Sequence, residues 1–285
     1  MPTHPIKCPD CGDSAGYWQV QCRCGHFLGF PNRREADGER AELEKRHSAA
    51  LTDSQRRGLE PLLAKLEALA DQSWPVIAMS FAACDDIMRS GKYRNYDQRI
   101  ASGERDPASA QDHSDRKMVG ARLFPMYDHH IHYAALSPDG GGLSSYGPIA
   151  VRWHVTNVYL DRRISLLEEN SFIFYDDHAL GPRGATIPLG YRAIWENRAK
   201  LAAAKLGPRL TGATSEAALP GLLLQAGVTR KEDHFIEIAI YAEGGLDTQD
   251  VDMVTVQNAA TTPDEIHRCD LVRRACVNRS IEFVE

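Results

Sequence analysis

Nowhere in the 285 residues does an apolar run approach the roughly 20 that span a bilayer, and the opening MPTHPIKCPDCG lacks the apolar core of a secretory leader. These two absences argue against a membrane protein and make the cytoplasm the expected compartment. An excess of one charge is also missing. With 39 acidic against 33 basic side chains the net charge is -6, so nothing global draws the chain to nucleic acid, and any such binding would be local. Disorder is excluded from the other direction, because 43% hydrophobic residues is ordinary for a globular protein with a sizeable core. Gly181-Pro182-Arg183-Gly184 is no phosphate loop, since it lacks the Gly-Lys-Ser/Thr ending.

Cysteine is scarce except at one end. Four of the seven cysteines fall in the first 24 residues, a pattern that fits reduced thiols and metal better than a disulfide framework. They form Cys8-Pro-Asp-Cys11-Gly12 and Cys22-Arg-Cys24-Gly25, two tight turns each presenting two thiolates, with Trp18-Gln19-Val20 expected as a strand that brings them together. Cys8, Cys11, Cys22 and Cys24 are therefore the expected ligands of one structural Zn2+, with a redox Cys-x-x-Cys pair as the rival. Four thiolates leave no open position for catalysis, and His26 is a candidate substitute ligand against the plainer reading of a bystander. Lys7, Arg23, Arg33 and Arg34 make this end locally basic, which leaves two readings: contact with nucleic acid or a protein partner, or a cap on the neighbouring domain.

From Glu35 to Gln72 Leu59, Leu62, Leu63, Leu66, Leu69 and Ala70 recur at helical spacing, too briefly for a coiled coil, which predicts one or two amphipathic helices. Pro75 to Ile87 reads as an apolar helix ended by Gly91, and Lys92 to Lys117 as a long polar loop. Arg94, Arg99, Arg105 and Arg116 in that loop are candidates for an anionic ligand, against the plainer reading of a solvated surface. Ile149 to Val155 and Phe172 to Tyr175 read as strands. Pro188 to Leu206 predicts an amphipathic helix with Arg192 in solvent, Glu216 to Gln225 another, and Pro263 to Val277 a third before a strand at Ser280 to Val284.

The segment FIEIAIY, Phe235 to Tyr241, alternates with the period of a strand. Ile236, Ile238 and Ile240 share one face, so Glu237 is aimed at the other; if the isoleucines face the core, Glu237 faces a cleft. Asp128-His129-His130-Ile131-His132 offers a competing chemistry, because imidazoles two apart on a strand point the same way and His129, His130 and His132 could serve a metal-dependent hydrolase. The barrel that usually starts with such a run needs more chain than follows here.

The order of segments resembles an uncharacterised bacterial family proposed to have the ADP-ribosyltransferase fold. The likeness is carried by Gly91-Lys92-Tyr93-Arg94, Arg116, Leu123-Phe124 and Tyr127, Tyr133-Ala134-Ala135-Leu136, Tyr146-Gly147 to Trp153, Arg163-Ile164-Ser165, Asn170-Ser171, Glu237, Leu246 and Asp250-Val251. It covers about Val76 to Glu285, and departs from the family where polar groups give way to Val119-Gly120, Ala239 and Tyr241-Ala242. The resemblance implies a mixed or antiparallel split sheet with helices for 75–285, an ADP-ribosyltransferase-like domain; with the cysteine motif as a zinc ribbon over 1–30 and the helical connector over 31–74, the chain is expected to be α+β. It implies NAD as substrate, ADP-ribose transfer to a macromolecular acceptor (protein or nucleic acid) in the manner of a bacterial effector or toxin, and NAD hydrolysis as the close variant. Glu237 would stabilise the oxocarbenium-like transition state. Ser144, Ser145 and Tyr146 would hold the nicotinamide end, His132 and Tyr133 the ribose or pyrophosphate, and Asn170-Ser171 would border the site. The reading from another class is a zinc-ribbon binding module that recognises a nucleotide, nucleic acid or protein without turnover.

Overall fold

A computed structural model describes residues 5–103, 110–155, 161–176 and 187–285; Arg105 and the Gly181 to Gly184 segment lie outside them. Eight strands form one sheet: β1 (Trp74–Met79), β2 (Ile131–Ser137), β3 (Ile149–Trp153), β4 (Ile164–Leu167), β5 (Arg192–Ile194), β6 (Glu237–Tyr241), β7 (Val251–Val256) and β8 (Glu282–Val284). Their order is β8-β7-β3-β1-β2-β6-β4-β5. Only β7 and β8 pair in parallel, and every other pair is antiparallel, so the sheet is mixed.

One face is a continuous apolar core. Ile77, Ala134, Val151, Ile164, Leu166, Ile236, Ile238 and Ile240 project into it, as alternation along each strand requires. Helices α4 (Phe81–Ser90) and α10 (Pro263–Asn278) cover it with Cys84, Ile87, Met88, Val272 and Cys276, while α2 (Arg40–Arg57), α3 (Glu60–Asp71) and α8 (Arg198–Leu206) cover it with Leu43, Leu63, Leu66, Leu201 and Leu206. The expected connector helices thus share the core of the sheet. The opposite face carries Ile131, Leu167, Ala239 and Tyr241 beneath α6 (Ala110–Leu123) and α7 (Ser171–Asp176), with Val119, Leu123, Phe124 and Phe174 closing the second cluster.

Several local expectations are corrected. Trp74 to Met79 is a strand because it lies central in the sheet; the helix starts only at Phe81, where Ser80 Oγ accepts from the Ala83 N–H at 3.2 Å. An apolar run buried on both faces carries no period that separates strand from helix. Lys92 to Lys117 is not one loop but holds two helices, α5 (Tyr96–Ala101), opened by an Asn95/Gln98 capping box, and α6. Phe172 to Tyr175 is helix, since Asn170 accepts the Phe172 N–H with its side chain (3.1 Å) and the Ile173 N–H with its backbone (2.9 Å). Phe235 pairs in a two-stranded ribbon with Leu224, so the sheet strand starts at Glu237.

Arg192 is no solvated helical residue: it is on edge strand β5, buried, with Nη1 2.8 Å from Glu35 Oε2 and 3.7 Å from Glu39 Oε1. Both carboxylates project from α1 (Pro31–Gly38) or its end, and burial raises both their pKa values while Arg192 pulls them down. Removing one partner leaves a buried charge alone. Arg192→Leu is expected to cost about 3–5 kcal/mol near pH 8 in urea unfolding, and less in acid, where Glu35 and Glu39 are protonated.

Candidate functional site

The ladder between β1 and β2 runs only from Trp74↔Ser137 to Val76↔Ala135. Beyond Val76, β1 goes on pairing with β3 through Met79, and a cavity of about 240 Å³ opens there on the α6/α7 side. Its floor is Val76, Ala78, Ala135 and Glu237; its walls bring Arg116, Val119 and Gly120 of α6, Asp128, Ser171 and Phe172 of α7, and Tyr146. Register explains the space, because Val76, Ala135, Glu237 and Leu167 sit in one row across four strands, and the alanine leaves room beside the carboxylate. Ala135→Leu is expected to fill that room and abolish ligand binding with little loss of stability, read by calorimetric titration beside thermal unfolding.

Glu237 is 6% exposed. Its Oε2 accepts the Ser171 N–H at 3.0 Å, and it makes no ion pair among the described residues. Burial pushes its carboxyl up from 4.5 to about 7, partly offset by Ser171 and, more distantly, by Arg116. A carboxyl that changes charge near neutrality, in a cleft and on a rigid strand, is equipped to stabilise positive charge or move a proton.

Aromatic rings dominate the rest of the lining: Tyr93, Tyr96, Tyr133, Tyr146, Phe172 and Phe235. Burial raises the pKa of Tyr133 well above its usual value, with Glu237, Asp128 and Asp97 adding to it, so it stays a neutral phenol. One rim is a clasp between two loops. Tyr146 OH donates to Arg230 O (3.2 Å), Arg230 Nε to Ser145 O (2.7 Å), and Asn170 Nδ2 to Arg230 O (2.8 Å). Gly147 makes the clasp fit, because a Cβ there would overlap the Met79 carbonyl. Gly147→Ala is expected to displace the Ser144–Tyr146 turn at a cost of about 1–3 kcal/mol, measured by urea unfolding.

Of the residues singled out in the sequence, Glu237, Tyr133, Tyr146, Ser171 and, of the arginines, Arg116 meet in this cavity. Ser144 and Ser145 are exposed on the outside of the clasp, where Ser145 Oγ lies 3.3 Å from the buried Asp233. His132 is on the opposite, core-facing side of β2, fully buried against Tyr93 (ring centroids 5.7 Å). Burial lowers its pKa to about 4, so it is a neutral core histidine, and it is not part of the cavity lining. The His129 and His130 rings lie 3.9 Å apart, tilted by 48°, in the turn before β2. Asn170, expected beside Ser171 at the border, also lines the cavity, whereas Asn95, Asp97, Asp128 and Arg230 were not anticipated as lining residues; they sit in or next to short helical segments that only the fold brings together.

The cysteine quartet is the only group of three or more His, Cys, Asp or Glu side chains among the described residues whose ligand atoms lie within 4.8 Å of one another. Cys8 Sγ is 3.6 Å from Cys24 Sγ, and Cys11 Sγ 3.6 Å from Cys22 Sγ, close to the sulfur edge of about 3.8 Å that follows from tetrahedral Zn–S bonds of about 2.3 Å. These sulfurs are placed to hold a metal ion such as zinc. Each knuckle closes with a backbone bond, Gly12 N–H to Cys8 O (3.0 Å) and Gly25 N–H to Cys22 O (2.9 Å), and both glycines have positive φ, 75° and 92°. His26 Nδ1 is 2.7 Å from Asp10 Oδ2, tying the knuckles together without joining the ligands. Trp18 to Val20 is a turn rather than a strand; the paired segments are Ile6–Lys7 and Ser14–Ala15.

No helix among the described residues is long and apolar enough to cross a membrane. Comparison with protein-family models gives no match, and comparison with curated proteins gives none either.

Proposed function

We propose that the cleft binds the nicotinamide-ribosyl end of NAD and that the chain transfers ADP-ribose to a macromolecule. The observation that carries this reading is Glu237: a buried carboxylate, held by a hydrogen bond rather than an ion pair, in the same cavity as Tyr133 and Tyr146. Breaking the bond between ribose C1′ and the pyridinium nitrogen puts positive charge on the sugar and releases neutral nicotinamide. An ionised carboxylate fixed beneath C1′ stabilises that charge. Aromatic walls suit a flat cationic ring. A cavity of about 240 Å³ is smaller than the roughly 300–1,000 Å³ of sites for whole drug-sized ligands, so it suits one ring and its sugar, with the remaining nucleotide running out past Arg116 and Arg230. The acceptor, a protein or nucleic acid, then attacks C1′; water in its place gives NAD hydrolysis.

The test is NAD labelled in the nicotinamide ring, given to the wild-type chain and to Glu237→Gln. Release that depends on Glu237 supports the transferase or hydrolase. Equal release from both refutes the role of the carboxylate, and silence from both, with NAD still bound, points to a binding module.

A further inference from the structure

We infer that metal occupancy of the cysteine quartet sets the order of the cleft wall formed by α6 and the turn to Asp128, so that the ribbon is a clamp on the site. This rests on the cysteines holding a metal and is independent of which ligand the cleft takes. The wall is one helix thick. Its inner side gives Arg116, Val119 and Gly120 to the cavity, while Tyr17, Val20 and Phe30, from the ribbon and the residue leading out of it, pack on the cluster containing Val119, Leu123, Phe124 and Tyr127. Tyr17 OH also donates to Pro125 O at 3.1 Å.

That hydrogen bond falls beside the most strained point of the wall. Met126 has φ 72° with a long side chain, a conformation that costs about 1–3 kcal/mol and persists only where the surroundings impose it. Two residues on, Asp128 lines the cavity, and its Oδ2 lies 3.4 Å from where a Gly120 Cβ would stand. The Met126 turn thereby fixes the approach of Asp128 to α6. Unlike the floor, α6 has no strand ladder to hold it. A ribbon of some 30 residues buries too little to stay folded without metal; when it lets go, the outer face of α6 loses its cover and the Met126 turn can relax.

Hydrogen exchange on the full chain, zinc-loaded and then stripped with phenanthroline, tests this, with Tyr17→Phe as a variant that keeps its four cysteines and its zinc. Amides of 116–128 are expected to exchange about tenfold faster or more after stripping, while those of Ile149–Trp153 and Pro263–Asn278 keep their rates. A local rise after stripping supports the clamp whether or not the Tyr17 hydroxyl contributes. If stripping loosens the whole chain, a local rise in zinc-loaded Tyr17→Phe supports it, and silence there overturns it. Unchanged exchange in 116–128 once the metal has gone also overturns it.

Discussion

Glu237→Gln is expected to lower nicotinamide release from NAD by about 10²–10³-fold while raising the stability of the fold above neutral pH. Both effects have one origin. Burial raises the Glu237 carboxyl from 4.5 to about 7, so between those values the native state binds a proton that the unfolded chain has released. The associated stability is fully present below about pH 4.5 and is lost as pH rises through about 7. Glutamine carries no charge to bury, so the advantage of the variant over wild type should grow across that window to about 3 kcal/mol at pH 8. Urea unfolding at pH 4 and pH 8 measures it. If the proposed transfer holds, kcat/KM should rise with pH through about 7, because that mechanism needs the ionised carboxylate. The limb in kcat should lie lower, since a cationic ring in the cleft favours ionisation. Equal stability of the two chains at pH 8 would show that the carboxyl is not held in its buried, proton-retaining state.

Stripping the metal is the second large effect. Structural zinc supplies about 10–16 kcal/mol of apparent binding energy at neutral pH, and in the ribbon nothing else replaces it: of its residues, Trp18 and Phe27 stay 40% and 49% exposed. One zinc per chain is expected by elemental analysis, falling to none in Cys8→Ser. The same variant should leave residues 5–30 sensitive to protease while the sheet, whose core lies on the far side, still unfolds cooperatively. More than one tightly held metal per chain would revive a metal site outside the quartet, with His129 and His130 the first to examine.

The parts legible in the sequence are those where local pattern and burial coincide. The isoleucine alternation placed Ile236, Ile238 and Ile240 in the core and Glu237 on the other face, and two cysteine knuckles pointed to four sulfurs gathered closely enough to hold a metal ion. Long-range effects defeated the same reasoning. Trp74 to Met79 lacks a period because apolar side chains occupy both of its faces, Val76 and Ala78 towards the cavity and Ile77 and Met79 towards the core, so it passed for helix. Arg192 looked like a solvated helical residue because Glu35 and Glu39, which hold it on a strand, lie more than 150 positions earlier. Phe172 to Tyr175 has the composition of a strand, but one asparagine cap decides for helix. In the site, His132 shares a strand with Tyr133 and therefore must point away from it. Tyr133 and Glu237 could both be aimed at one cleft, whereas Asp97, Asp128 and Arg230 came from short segments whose positions depend on the whole fold.

Glu237 belongs to a strand paired on both flanks, yet the Ser144–Tyr146 and Arg230 loops that border it are at the surface. The buried carboxyl and the loops at its rim therefore answer to different constraints. Exchanging rim residues can retune what is admitted without disturbing the interior, whereas any shift of the carboxylate by even an ångström would have to drag three isoleucines of the core along with it.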